Sequence, residues 1–78
     1  MTQETEKPKY ITKIAYDADL NPLYIGQALV KSESSASAWR IKKIVYDANL
    51  NPIAIEWANE STAFDKVWDD RASYAYGF

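Results

Sequence analysis

Ile11-Thr-Lys-Ile-Ala-Tyr-Asp-Ala-Asp-Leu-Asn-Pro22 returns thirty residues later as Ile41-Lys-Lys-Ile-Val-Tyr-Asp-Ala-Asn-Leu-Asn-Pro52, with nine of the twelve positions identical. Beyond the prolines the likeness continues more loosely, through Leu23 and Ile53, Ile25 and Ile55, and Ala28 and Ala58. Self-similarity at a fixed spacing marks a supersecondary unit placed twice in tandem. Each unit reads as a hairpin. A run of Ile, Val, Thr and Tyr leads into Asp-Ala-Asx-Leu-Asn-Pro, and a second apolar run follows. Asp17, Asn21, Asp47 and Asn51 are turn residues, because their side chains bond nearby backbone N–H groups and they tolerate left-handed geometry. Pro22 and Pro52 stand where a second strand would begin, a place that tolerates a residue without an N–H.

The pattern predicts strands near 10–16 and 23–28, then 39–46 and 53–58, each pair joined by a loop of about four to six residues. A helical spacing is also present, since Ile11, Ile14 and Ala15 fall at i, i+3 and i+4, as do Ile41, Ile44 and Val45. Each run is short and rich in β-branched and aromatic side chains, which favours strand. Lys31-Ser-Glu-Ser-Ser-Ala-Ser37 has loop composition, and Asn59-Glu-Ser-Thr62 is a second polar break. In the tail, Ala72-Ser73-Tyr74-Ala75-Tyr76 alternates as a closing strand would. Phe64, Val67 and Trp68 lie at helical spacing, with Ser61 or Thr62 placed to cap a single turn; a short strand fits the same residues.

The expectation is therefore an all-β domain: a small antiparallel meander or barrel, or a compact sandwich, of two tandem hairpins plus a C-terminal strand. Residues 1–8 read as a flexible N-terminal arm and 9–78 as one domain. It divides into a hairpin repeat over 9–28, a linker over 29–38, a second hairpin repeat over 39–58 and a closing segment over 59–78. Burial is not one-sided in the second unit. Ile44 and Tyr46 fall on one face of the strand, while Trp39, Ile41 and Val45, interrupted by Lys43, fall on the other. A two-layer domain alternates apolar inside and polar outside, so apolar residues on both faces imply that one face meets something beyond the chain.

Composition removes most chemistry. The 78 residues contain no Cys and no His, so disulfides, thiolate or imidazole zinc sites, Cys nucleophiles and His bases are excluded. No cofactor is expected. A formal net charge of −2 argues against a protein that lives on phosphate contacts, so nucleic acid is not an expected partner. No apolar run approaches the roughly 20 residues that span a bilayer. The polar start, Met1-Thr2-Gln3-Glu4-Thr5-Glu6-Lys7-Pro8, lacks the apolar core of a signal peptide. What the chain has in excess is rings: 14% aromatic within 47% hydrophobic. A domain this small buries only about 60% of its unfolded surface, so those rings must pack well or meet a partner.

Three constellations are candidate sites. Asp17, Asp19 and Asn21, and again Asp47, Asn49 and Asn51, match the first three oxygen ligands of a calcium loop. The position that needs Gly holds Pro22 or Pro52, and the one that needs a bidentate Glu holds Ala28 or Ala58, so a hairpin turn accounts for these residues better. Asp69, Asp70 and Arg71 with Glu56 and Glu60 form a nominal carboxylate set, but acid–base work needs a cleft that drives two pKa values apart. A turn with a local ion pair is the simpler reading of Asp69-Asp70-Arg71, and no enzyme is expected. Trp39, Trp57, Trp68, Tyr74 and Tyr76 are expected core or interface anchors, since Trp and Tyr are enriched in both. Exposed rings would also suit a carbohydrate- or host-surface-binding module.

The run from Trp39 to Ala58, followed by Phe64-Asp-Lys-Val-Trp-Asp-Asp-Arg71 and a Tyr-x-Tyr end, resembles small virion-associated structural proteins of tailed bacteriophages. The resemblance spans roughly residues 10–76. It implies a non-enzymatic particle component made in the host cytoplasm and carried in the virion. Its partners would be other virion proteins or copies of itself, as capsid decoration or cement or as a neck, tail or fibre adaptor. It implies no catalytic or ligand residue. The Tyr-Asp-x-x-x-Asn hairpin is also similar to the tyrosine–aspartate repeats of large secreted shell proteins, but the Gly usual before the Asn is here Leu20 or Leu50.

Overall fold

A computed structural model describes residues 7–78. Of the expected N-terminal arm, residues 1–6 lie outside the described residues, while Lys7 and Pro8 are exposed. Each repeat forms a hairpin. The strands β1 (Tyr10–Tyr16) and β2 (Pro22–Leu29) make the first, and β3 (Ser37–Tyr46) and β4 (Pro52–Ala58) the second. Both prolines open their strands, as expected. Two further strands, β5 (Lys66–Val67) and β6 (Tyr76–Gly77), flank a 3₁₀ helix over Trp68–Ser73. The strands form an antiparallel meander ordered β1-β2-β3-β4-β6, with β5 paired to β3. The sheet does not close into a barrel. No helix among the described residues is long and apolar enough to cross a membrane.

The closing segment departs from expectation. Ala72–Tyr76 is not a strand, because Ala72 and Ser73 belong to the 3₁₀ helix and pairing begins only at Tyr76. Of the two readings left open for Phe64, Val67 and Trp68, the short strand is the one formed, over Lys66–Val67, and not the helical turn. Val67 is paired to Ser37 in β5, and Trp68 opens the 3₁₀ helix. The Ser61 hydroxyl accepts from the Ala63 N–H (3.1 Å) in a local turn instead of capping a helix. Tertiary packing overrides a weak local alternation here: the tail must turn so that Trp68 reaches the sheet.

Register sorts the side chains, because residues directly opposite in a sheet share a face. Gly26 stands opposite both Lys13 and Ile41, and Ile11 opposite Ala28. This inner face is the one the tail covers. Trp39, Ile41, Ala28 and Ala58 are fully buried on it, with Trp68 from the tail packed among them. The Trp39 and Trp68 rings lie 5.8 Å apart and tilted, a geometry that adds about 0.5–1.5 kcal/mol to area burial. Gly26 makes this possible: a Cβ there would lie 2.5 Å from Trp68 Cε3. Backbone bonds from Asn59 N–H to Ala75 O (2.6 Å) and from Asp69 N–H to Ser34 O (3.1 Å) pin the tail at two places. The one buried charged side chain among the described residues, Lys66 on β5, directs its ammonium to the Asp65 carboxylate.

The opposite, outer face is covered only at one end, where Phe64 packs on Tyr10 and Arg40. One row crosses four strands as Ile14, Ile25, Lys42 and Trp57, and Ile44 stands opposite Ile55 in the next.

Candidate interaction surfaces

The two repeated turns are built alike. The Asp17 carboxylate accepts from the N–H groups of Asp19 and Asn21, both at 2.9 Å. The Asp47 carboxylate accepts from those of Asn49 and Asn51, again at 2.9 Å. The Asn51 side-chain amide adds a third donor to Asp47 at 3.3 Å. These donors hold the Asp47 carboxyl below its ordinary range, the Asn51 N–H chief among them. Of the six candidate calcium ligands, the Asp17 and Asp47 carboxylates are thus engaged in closing the turns. No group of three or more carboxylates capable of holding a metal occurs among the described residues.

The expected anchors divide between the faces. Trp39 and Trp68 are core, and the Trp39 indole N–H donates to the Glu33 carbonyl (2.9 Å). Tyr74 is half-buried and its hydroxyl accepts from the Val67 N–H (2.8 Å), fixing β5. The Tyr76 hydroxyl donates to the Arg71 carbonyl (2.6 Å) and its ring meets Tyr24 at 5.5 Å. Burial first, then the neighbouring Tyr24 and Tyr74, push the Tyr76 phenol pKa well above its ordinary value of 10.0. Trp57 alone of the five is on the outer face, where the Lys42 ammonium and the Arg40 guanidinium stand 5.7 and 5.9 Å from its ring.

Asp69 and Asp70 are exposed at the start of the 3₁₀ helix. In place of the expected local ion pair, the Arg71 guanidinium lies over the Trp68 ring at 4.8 Å and donates to the Trp68 carbonyl (3.2 Å). The arrangement is a packing device. It gathers no acid, base and cleft in one place.

Two surfaces that single residues did not announce come from pairing. The first is the outer face itself: Ile14, Tyr16, Ile53 and Ile55 are exposed on it, and its outward strand positions carry two cations, Arg40 and Lys42, and no carboxylate. The Ile14–Ile25 and Ile44–Ile55 pairs are the same pair in the two repeats, so the repeat doubles the apolar stripe. The second is a groove of about 410 Å³ at the end of the sheet away from the turns, lined by Tyr10, Leu29, Ser37 and Phe64 among others. Tyr10 stacks on Phe64 at 5.5 Å, and Arg40 lies 4.8 Å over the same Phe64 ring. Only the clash of Ile44 and Tyr46 with Trp39 and Ile41 on opposite faces signalled the first in the sequence. Nothing signalled the second, because Phe64 reaches Tyr10 only through the fold. Comparison of the chain with protein-family models, with curated proteins and with solved structures finds no match.

Proposed function

We propose that the chain is a non-enzymatic structural component of a tailed-bacteriophage particle, working by protein–protein binding. It would decorate or cement the capsid, or serve as an adaptor at the neck, tail or fibre. In this reading it is made in the host cytoplasm and carried in the virion, bound to other virion proteins or to copies of itself, with no role for nucleic acid or membrane. The observation that carries the binding half is the largely uncovered outer face, whose isoleucines and tyrosines remain exposed after the tail has covered the other side. Apolar surface of this kind marks interaction sites on small soluble domains. The particle half rests on the resemblance of the Trp39–Ala58 run and the Trp-Asp-Asp-Arg tail.

A second reading, a carbohydrate- or host-surface-binding module, draws on the groove where the rings of Tyr10 and Phe64 adjoin the hydroxyls of Ser32 and Ser37. Against it, Phe64 is already engaged by Tyr10 and by Arg40, so its ring is less free to stack on a sugar. Quantitative mass spectrometry of purified virions tests the first reading: a fixed copy number per particle is expected, and absence from particles overturns it. Retention on a glycan array by a chain absent from virions would move the assignment to the second.

A further inference from the structure

Leu20 and Leu50 occupy the same position in the two turns, with φ of +63° and +65°, and are 80% and 51% exposed. Their N–H groups close the turns onto Asp17 and Asp47 (both 3.0 Å). Left-handed backbone crowds a Cβ, so Gly or Asn is the usual occupant of such a position. Leucine here burdens the backbone and places a large apolar side chain in water, and it does so twice. Leu20 keeps most of its side chain in water and Leu50 about half, so much of both costs is left unrecovered within the described chain. The recovery is therefore sought outside it.

The sheet has unlike ends. The turn end carries Asp17, Asp19 and Asp47 and no cation between Tyr16 and Pro22 or between Tyr46 and Pro52. Towards the other end the outer face carries Arg40 and, nearer the middle, Lys42, and it opens into the groove between Tyr10, Leu29 and Phe64. Resting on the binding-module reading above, we propose that the partner of the outer face is the outer face of a second copy, with the strands of the two copies reversed. A two-fold axis midway between the two sheets, parallel to their planes and crossing the strands, produces this arrangement. It sets each first hairpin over its own counterpart, so Leu20 meets the groove of the partner. It sets the second turn over β3 and β4, so Leu50 and Asp47 approach the end that carries Arg40 and Trp57. Acidic tips then meet a cationic, carboxylate-free face on both sides, and the isoleucine stripes close on each other at the ~10 Å spacing of stacked sheets.

Sedimentation equilibrium at about 100 µM, a concentration that reveals even weak pairing, is expected to give a dimer that weakens in about 1 M salt. Leu20→Gly with Leu50→Gly is expected to leave the melting temperature unchanged or higher while reducing association at least tenfold; Asp19→Lys is expected to weaken it as well. Because the chain has no Cys, Ala18→Cys places a single spin label on each turn. Strand reversal predicts labels roughly 30 Å or more apart, one strand length. A monomer at every concentration, a double-glycine variant that still dimerises, or labels within about 20 Å of each other as in unreversed stacked sheets would overturn the proposal. A monomer that is nevertheless present in virions overturns the dimer alone; a dimer absent from virions overturns the particle reading alone.

Discussion

At the scale of single residues, Gly26 and Asp47 show how one atom can govern the fold. Gly26 has an ordinary strand backbone; what it supplies is the absence of a side chain beneath Trp68. A methyl there would sit 2.5 and 2.6 Å from two Trp68 ring atoms and 3.2 Å from Trp39. Neither indole has room to retreat, since each packs on the other. Gly26→Ala is therefore expected to destabilise by about 1–3 kcal/mol through overpacking, read as a melting temperature lower by roughly 4–8 °C per kcal/mol. Asp47 acts through charge. Its carboxyl pKa is lower in the folded chain than the ordinary 3.8, so its contribution to stability is present above that value and is lost as pH falls through the lower folded value. Urea unfolding of Asp47→Asn from about pH 7 down to pH 2 should show a stability gap to the parent that closes in acid. A gap that stays constant would assign the loss to turn geometry rather than to ionisation. The Asn21 amide, shut from solvent without a partner, does not make the bond that its counterpart Asn51 makes to Asp47.

At the scale of elements, the tail is what turns a pair of hairpins into a domain. A lone hairpin is marginal in water, and an open sheet needs something packed on one face. Trp68, Tyr74 and Tyr76 supply it from a segment with only two-residue strands at either end. Tyr76 is the latch, through its bond to Arg71 and its contact with Tyr24. Its phenol pKa is raised on folding, so the stability tied to it is fully present below the unfolded value of about 10 and is lost as pH rises beyond it. Tyr76→Phe is expected to cost about 0.5–1.5 kcal/mol at neutral pH and to flatten the alkaline side of the stability profile, measured by denaturant unfolding between about pH 8 and 12. An unchanged alkaline limb would place the titrating group elsewhere.

At the scale of the whole molecule, the two faces of one sheet have different roles, and substitution should separate them. Ile41 is fully buried between hairpins and tail, whereas Ile55 is exposed on the outer face. Ile41→Ala is expected to cost about 2–5 kcal/mol. Ile55→Lys should change monomer stability by no more than about 0.5 kcal/mol while abolishing binding through the outer face. Thermal melts of the two variants, alongside their association, check this asymmetry directly. Equal destabilisation would mean that the outer face is also part of the monomer core.

Local chemistry was enough to determine the hairpins. Asx-Pro punctuation and β-branched runs placed β1 to β4 within two residues of their ends, because turn and strand preferences act over a few neighbouring residues. The identity of the turns was legible for the same reason: an Asp carboxylate reaches only the N–H groups two and four positions ahead. The closing segment was not legible, since the alternation of Ala72–Tyr76 is weak and the pull of the Trp39–Gly26 surface on Trp68 is stronger. Which rings are core was equally beyond local reading. Trp57 is half-buried on the outer face beside Arg40 and Lys42, while Trp68 fills the space above a glycine forty-two residues away. Strand pairing decides that, and pairing is a contest among all possible registers for the largest shared burial. The repeat thus determined the units by itself; only their packing decided that one face would be roofed by the tail and the other left largely open.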